Sequence, residues 1–339
     1  LRDAKSSEAG IKYLLLGAVS SAILLYGMAL LYGSTGSTQL NEIASGIQQS
    51  MQGDRAILPA ILLGTVLMVG GFGFKIAAVP FHMWAPDVYE GAPTPITGFL
   101  TSASKAAGFA VILRVFYVAL GNRLPLPVEW PTLFAVLSAL TMTVGNLAAI
   151  PQTNIKRMLA YSSIAHAGFM LVGVAAFSSQ GVGGVIYYLL GYTFTTMGAF
   201  AAIVAISDHL GSDLIADYSG MARRAPLLAF ILAVCLASLI GLPPTVGFVA
   251  KIYVFWAALN QGLLWLVVFG VLNSVISAYY YLRVMRAMYL GTPASEERLP
   301  VSKPLVVALV VALIAVLAIG LYPQPWLEAG AGAAAVIMP

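Results

Sequence analysis

Apolar residues run through this chain in stretches of about twenty, parted by short polar turns, and twenty is the length a helix needs to cross a bilayer. Nine such stretches stand out: 11–33, 57–90, 95–120, 130–150, 155–177, 182–207, 226–259, 263–290 and 304–322. Two of them are interrupted. The second contains GFGFKIAAVPFHMWAPDVYEGAPTP from Gly71 to Pro95, and the seventh contains GLPPTVGFVAK from Gly241 to Lys251. Proline removes a backbone donor and cannot sit inside a regular helix. In lipid, a broken helix survives only where the freed backbone is buried in protein or lines a wet cavity. The pattern predicts an all-α, polytopic membrane bundle with two broken helices and no soluble domain, with room for a short surface helix in the loop 34–54.

Composition agrees with that class. Of 339 residues, 60% are hydrophobic and 9% charged, against roughly 25% charged in an ordinary soluble domain, and the mean hydropathy is +0.91. The single cysteine, Cys235, excludes a disulfide framework and a cysteine-rich metal or iron–sulfur site. The net charge of +4 matters through its placement. Arg2, Lys5, Lys156, Arg157, Arg223, Arg224, Arg283, Arg286, Arg298 and Lys303 fall on one side of the predicted crossings, and only Arg55 and Arg123 on the other. By the positive-inside rule, the N-terminal end faces the cytoplasm and the C-terminus lies outside. The chain opens on Leu1 in polar sequence of loop type, and the expectation is a fragment whose N-terminal part is missing.

Lys12, Lys75, Lys105, Arg114 and Lys251 remain inside the spans. A lysine near the bilayer centre costs about 2.5–3.5 kcal/mol, so Lys75, Lys105 and Lys251 call for water, a partner or a function. Removing an amine from water favours its neutral form, as does a second cation nearby. A row of such lysines can therefore exchange protons near neutral pH. The inert alternative is a set of structural salt bridges. All thirteen acids fall in loops or at span ends, so the row's counter-charge is expected upstream or on a neighbouring subunit. Lys12 is placed equally well for snorkelling to the interface. His166, in YSSIAHAGF, is either a satisfied core histidine or a relay member. His82, just after the first break, could link a lysine to Asp87 and Glu90. Arg114 reads as structural, His209 as a loop residue, and the run Tyr279, Tyr280, Tyr281 as an interfacial belt. Two lysine-bearing broken helices in opposite orientation point to an inverted repeat. There is no dinucleotide fingerprint, P-loop or haem motif.

Three segments, FKIAAVPFHMWAPDVYEGAPTPITGFLTSASKAAGF, QTNIKRMLAYSSIAHAGFM and GLPPTVGFVAKIYVFW, carry a family resemblance that extends over nearly the whole chain. It resembles the subunit N family of antiporter-like membrane subunits in proton-pumping NADH:quinone oxidoreductase, which is respiratory complex I and its photosynthetic counterpart. The resemblance implies fourteen transmembrane helices built as two inverted five-helix bundles, with the nine spans here as the sixth to fourteenth. Residues 1–120 would then hold three spans of the first repeat, 121–291 the five spans of the second, and 292–339 a final transmembrane helix and tail. With its end so soon after the last span, the chain is expected to resemble subunit N rather than subunit L with its long transverse helix. It also implies roles. Lys12 is similar to a lysine near the start of the sixth helix. Lys75 would be the entry partner of a glutamate on the fifth helix, outside this chain. Lys105 would be the central carrier, Lys251 the exit-side site, and His166 the histidine of the tenth helix.

The implied activity is proton translocation, as a translocase subunit, coupled to quinone reduction in other subunits. NADH, FMN, iron–sulfur clusters and quinone are expected on those subunits and no cofactor in this chain. Implied partners are neighbouring antiporter-like and small transmembrane subunits of the membrane arm, the lipid bilayer and protons. The implied location is the bacterial inner membrane, with the thylakoid as alternative. The alternative function is a stand-alone or Mrp-type sodium/proton antiporter.

Overall fold

A computed structural model of the chain describes residues 4–52, 57–121, 129–293, 295 and 297–338. Arg2, Arg55 and Arg123, which entered the charge reading, lie outside the described residues. The described residues are helical almost throughout. In order they are α1 (Ala4–Thr35), α2 (Leu40–Gln52), α3 (Leu58–Lys75), α4 (Trp84–Gly91), α5 (Thr94–Phe99), α6 (Lys105–Arg114), α7 (Trp130–Ala149), α8 (Ile155–Ala175), α9 (Ser179–Leu210), α10 (Met221–Arg224), α11 (Pro226–Ile240), α12 (Val246–Asn260), α13 (Leu264–Leu290), α14 (Lys303–Leu321) and α15 (Gln324–Ile337). A π-type turn, Leu100–Ser104, joins α5 to α6, and a second, Val115–Ala119, extends α6. Together they make one 26-residue helix, Thr94–Ala119.

Eight of the helices are long and apolar enough to cross a membrane. The seventh expected stretch divides into the shorter apolar helices Pro226–Ile240 and Val246–Asn260. Each is too short to span alone, and the Leu242–Thr245 break is the cause. The second stretch divides likewise into α3 and α4, and the expected surface helix is α2. Beyond the last predicted span, α15 packs along α9, where the sequence reading placed only a tail.

α8 is the axis of the bundle. Its most apolar 18-residue window is 94% buried, against 17% for α1, so neighbouring helices enclose it on all sides. α4, α7, α9, α12 and α13 surround it. Asn154 caps its start, with Oδ1 accepting from the backbone N–H of Lys156 and of Arg157 at 2.9 and 3.1 Å. α1 packs on α3 and α4 and leaves most of its apolar surface, including Leu14, Leu15 and Leu25, open to lipid or to a neighbour.

Candidate functional site

Both breaks satisfy their freed backbone internally, as a membrane interior requires. At the first, Ala77 takes a positive φ of 57°, and the Ala78 N–H donates to the Gly73 carbonyl at 2.7 Å. The Val79 N–H donates to Thr141 Oγ1 of α7 at 3.0 Å, and Trp84 Nε1 donates to the Phe74 carbonyl at 3.0 Å. At the second, Gly241 closes α11 in the left-handed region, with φ 89°, which glycine adopts without steric cost. The last carbonyls of α11 have no helical partner. Lys251 Nζ supplies one, donating to Leu239 O at 3.2 Å and Ile240 O at 2.8 Å. A cation at a helix C-terminus is also favoured by the helix dipole. Lys251 is 5% exposed and its ammonium lies 4.3 Å from the centroid of the Phe169 ring.

Lys105 is buried too, at 2% exposure. Its Nζ donates to Ser163 Oγ at 2.6 Å and to the Ser163 carbonyl, and lies 5.5 Å from the centroid of the Tyr192 ring. His166, one turn along α8, is bonded on both sides, with Nδ1 2.8 Å from the Tyr188 hydroxyl and Nε2 3.3 Å from the Tyr281 hydroxyl. Its ring stands 5.2 Å from that of Tyr192, which Lys105 overlies, and 5.7 Å from that of Phe169, which Lys251 overlies. Ser163, His166 and Phe169 follow an i, i+3 row on α8. That row leads from Lys105 to Lys251 over about 9 Å of helix axis. The histidine is thus both a satisfied core residue and the middle member of the row that joins the two amines.

The tyrosine run departs from the expectation. Tyr279 is 61% exposed, whereas Tyr280 and Tyr281 are fully enclosed. Tyr280 donates to Asn146 Oδ1 at 2.9 Å, and Asn146 Nδ2 donates to Asn273 Oδ1 and to its carbonyl, both at 3.0 Å. Tyr281 bonds Ser162 as well as His166. These residues were missed because a run of three tyrosines reads as a belt. Asn273, Ser277, Tyr280 and Tyr281 recur at helical spacing, and that polar stripe was the available signal.

The other sequence candidates lie apart from this row. Lys75 ends α3 on the surface of the described residues, its Nζ 3.4 Å from the Tyr13 hydroxyl. It faces a cleft of about 780 Å³ between α1, α3 and α6. Lys12 is half-buried and ion-paired to Glu8 and Asp87, both at 2.7 Å. His82 Nδ1 is enclosed without a hydrogen-bond partner, so the expected link to the carboxylates is not made. Those carboxylates are held instead by Arg157, whose Nη1 lies 2.8 Å from Asp87 and 3.0 Å from Glu90. Arg114 is exposed, and so is His209, in the last turn of α9 rather than in a loop. Lys156 also differs from its reading as a loop cation: it is buried, donates to the Ala92 carbonyl at 3.1 Å and pairs with Asp213 at 3.5 Å. Among the described residues no carboxylate is buried, and no group of acids, histidines and cysteine is arranged to hold a metal.

Arg157 and Lys156 fasten the start of α8 to the end of α4. Arg157→Ala is expected to loosen that end by about 1 kcal/mol, the scale of a partly exposed ion-pair network. Hydrogen exchange at the Ala92 amide, which bonds Val88 O at 2.9 Å, should quicken about fivefold. Unchanged exchange would mean the clasp holds nothing.

A membrane-family model described as NADH:quinone oxidoreductase/Mrp antiporter, TM, matches residues 1–277. NADH-quinone oxidoreductase subunit N of Moorella thermoacetica is 53% identical over 326 residues, covering 96% of this chain and 67% of that protein. Among solved structures, a chain of respiratory complex I from Thermus thermophilus with bound aureothin superposes with a TM-score of 0.80 at 38% identity, covering 97% of this chain and 70% of that one. A chain of the Mrp complex from Dietzia sp. DQ12-45-1b superposes with a TM-score of 0.87 at 24% identity, covering 99% and 69%. That last likeness is one of fold.

Proposed function

The chain belongs to the NADH:quinone oxidoreductase/Mrp antiporter membrane family, and from that premise we infer that it is the proton-translocating membrane-arm subunit of NADH:quinone oxidoreductase. The observation that carries the mechanism is the pair of enclosed amines, Lys105 and Lys251, set against the two ends of the Ser163–His166–Phe169 row on α8. Each ammonium is anchored by oxygens rather than by a carboxylate, through Ser163 for Lys105 and the end of α11 for Lys251. With no fixed counter-charge beside it, an amine of this kind gives up its proton when nearby positive charge grows and regains it when that charge falls.

Lys75, in its open cleft, is the entry member, Lys105 the central carrier, His166 with Tyr188 and Tyr281 the bridge, and Lys251 the exit-side site. Water chains carry the proton between them. Lys12 acts through the charged cluster with Asp87, and His82 faces the first break. Quinone reduction in other subunits supplies the charge or conformational signal, and NADH, FMN, iron–sulfur clusters and quinone reside there. Neighbouring membrane-arm subunits and lipid cover the open faces of α1 and α13. The bacterial inner membrane is the location this reading favours. The three spans before residue 121 and the five up to residue 291 form parts of two inverted repeats.

The experiment is proton transport by the assembled complex in proteoliposomes. Transport driven by NADH and indifferent to sodium is the expected result. Sodium-dependent proton exchange without NADH or quinone would mark the antiporter alternative instead.

A further inference from the structure

Phe169 is fully buried on α8. Its ring stands 5.7 Å from the His166 ring and 6.2 Å from the Phe255 ring, with the Lys251 ammonium 4.3 Å from its centroid. On the opposite side Lys251 is pressed to the broken end of α11. A Cβ placed on Gly241 would come within 3.1 Å of Lys251 Cδ and 3.6 Å of Nζ. The ammonium is therefore held between two carbonyls and one aromatic face.

An aromatic ring attracts a cation lying within about 6 Å of its centroid, and more strongly where water is excluded. The attraction acts on the ammonium and not on the neutral amine, so it weighs directly on proton release. We propose that Phe169 is a positioning residue for proton transfer at Lys251, its ring face seating the ammonium against the end of α11 and setting the pH at which the proton leaves. This rests on the reading of Lys251 as a carrier.

The elements packed on α12 carry the other titratable and polar groups of this region. α8 brings His166, and α9 brings Tyr188 and Tyr192, the latter against Lys105. α13 brings Tyr280 and Tyr281. α11 brings its carbonyls and the buried Cys235, and on α12 itself lies Tyr253. α14 carries its only titratable residue, Lys303, at its first position. Of these, His166 alone is in ring contact with Phe169, at 5.7 Å between centroids, so a change of electron density in that ring bears on Lys251 and His166 and leaves the others untouched.

The test replaces Phe169 by 4-fluoro-, 3,5-difluoro- and 3,4,5-trifluorophenylalanine in the assembled complex and follows NADH-driven proton transport against pH. Ring shape is nearly kept while the π face weakens step by step. The alkaline limb of the profile should move stepwise to lower pH, in total by on the order of one unit, with Phe169→Leu at the far end of the series. A residue that only fills space would give superimposable profiles across the fluorinated series, and that result overturns the proposal. Lys251→Met is run alongside. Transport lost in Lys251→Met with unmoved fluorinated profiles rejects the role of Phe169 alone, whereas full transport in Lys251→Met rejects Lys251 as a carrier and this inference with it.

Discussion

Lys105→Met should abolish most of the proton transport driven by NADH, by tenfold or more, while leaving the complex assembled and as heat-resistant as before. The two halves of that result have different causes. Methionine is close to lysine in length and fills the same space, and burying it needs no oxygen partner. The Ser163 hydroxyl loses a donor but remains on α8 with its neighbours. What disappears is the central amine that holds and releases the proton between Lys75 and Lys251. Reconstituted complex, assayed for quinone reduction and for acidification separately, gives the readout. Transport at the wild-type ratio would remove Lys105 from the mechanism.

Gly247→Ala should do the opposite and damage the fold first. A Cβ at this position would lie 1.8 Å from the Ser238 carbonyl oxygen and 2.8 Å from its carbon. Backbone would have to move, and the Gly247 N–H to Ser238 Oγ bond at 3.2 Å would be lost with it. Overpacking against a main chain belongs among the costliest single changes, roughly 4 kcal/mol or more. The displaced segment also includes Leu239 and Ile240, the two carbonyls that seat Lys251. The expected outcome is a sharp drop in the amount of subunit recovered with the complex, and loss of transport in whatever remains. A variant that assembles and pumps normally would show that α11 and α12 do not meet this closely.

The crossings were legible because lipid imposes length and apolarity on each one, and the breaks because proline forbids the bond a helix needs. Lys105, Lys251 and His166 announced themselves by being ionisable at membrane depth. Partners were not legible. Lys12 and Asp87 are separated by 75 residues, and Arg157 and Glu90 by 67, so nothing local joins them. Lys156 counts as a loop cation in the sequence because it precedes an apolar run, yet the connection at Ala92 and Pro93 folds over it. The tyrosine run shows a different failure. Successive helical residues point about 100° apart, so one of three adjacent tyrosines faces out and two face in, and only packing decides which. Glycine and alanine dominate α15, and neither residue gives the amphipathic signal that would have set a helix apart from a tail.

The central claim is that enclosed amines along α8 exchange protons through water. A density map of the assembled complex fine enough to place ordered water tests it most directly. Hydrogen-bonded waters should run from the Lys75 cleft to Lys105 and from His166 to Lys251. Dry apolar packing between those groups, or a Lys75 amine turned toward lipid, would contradict it.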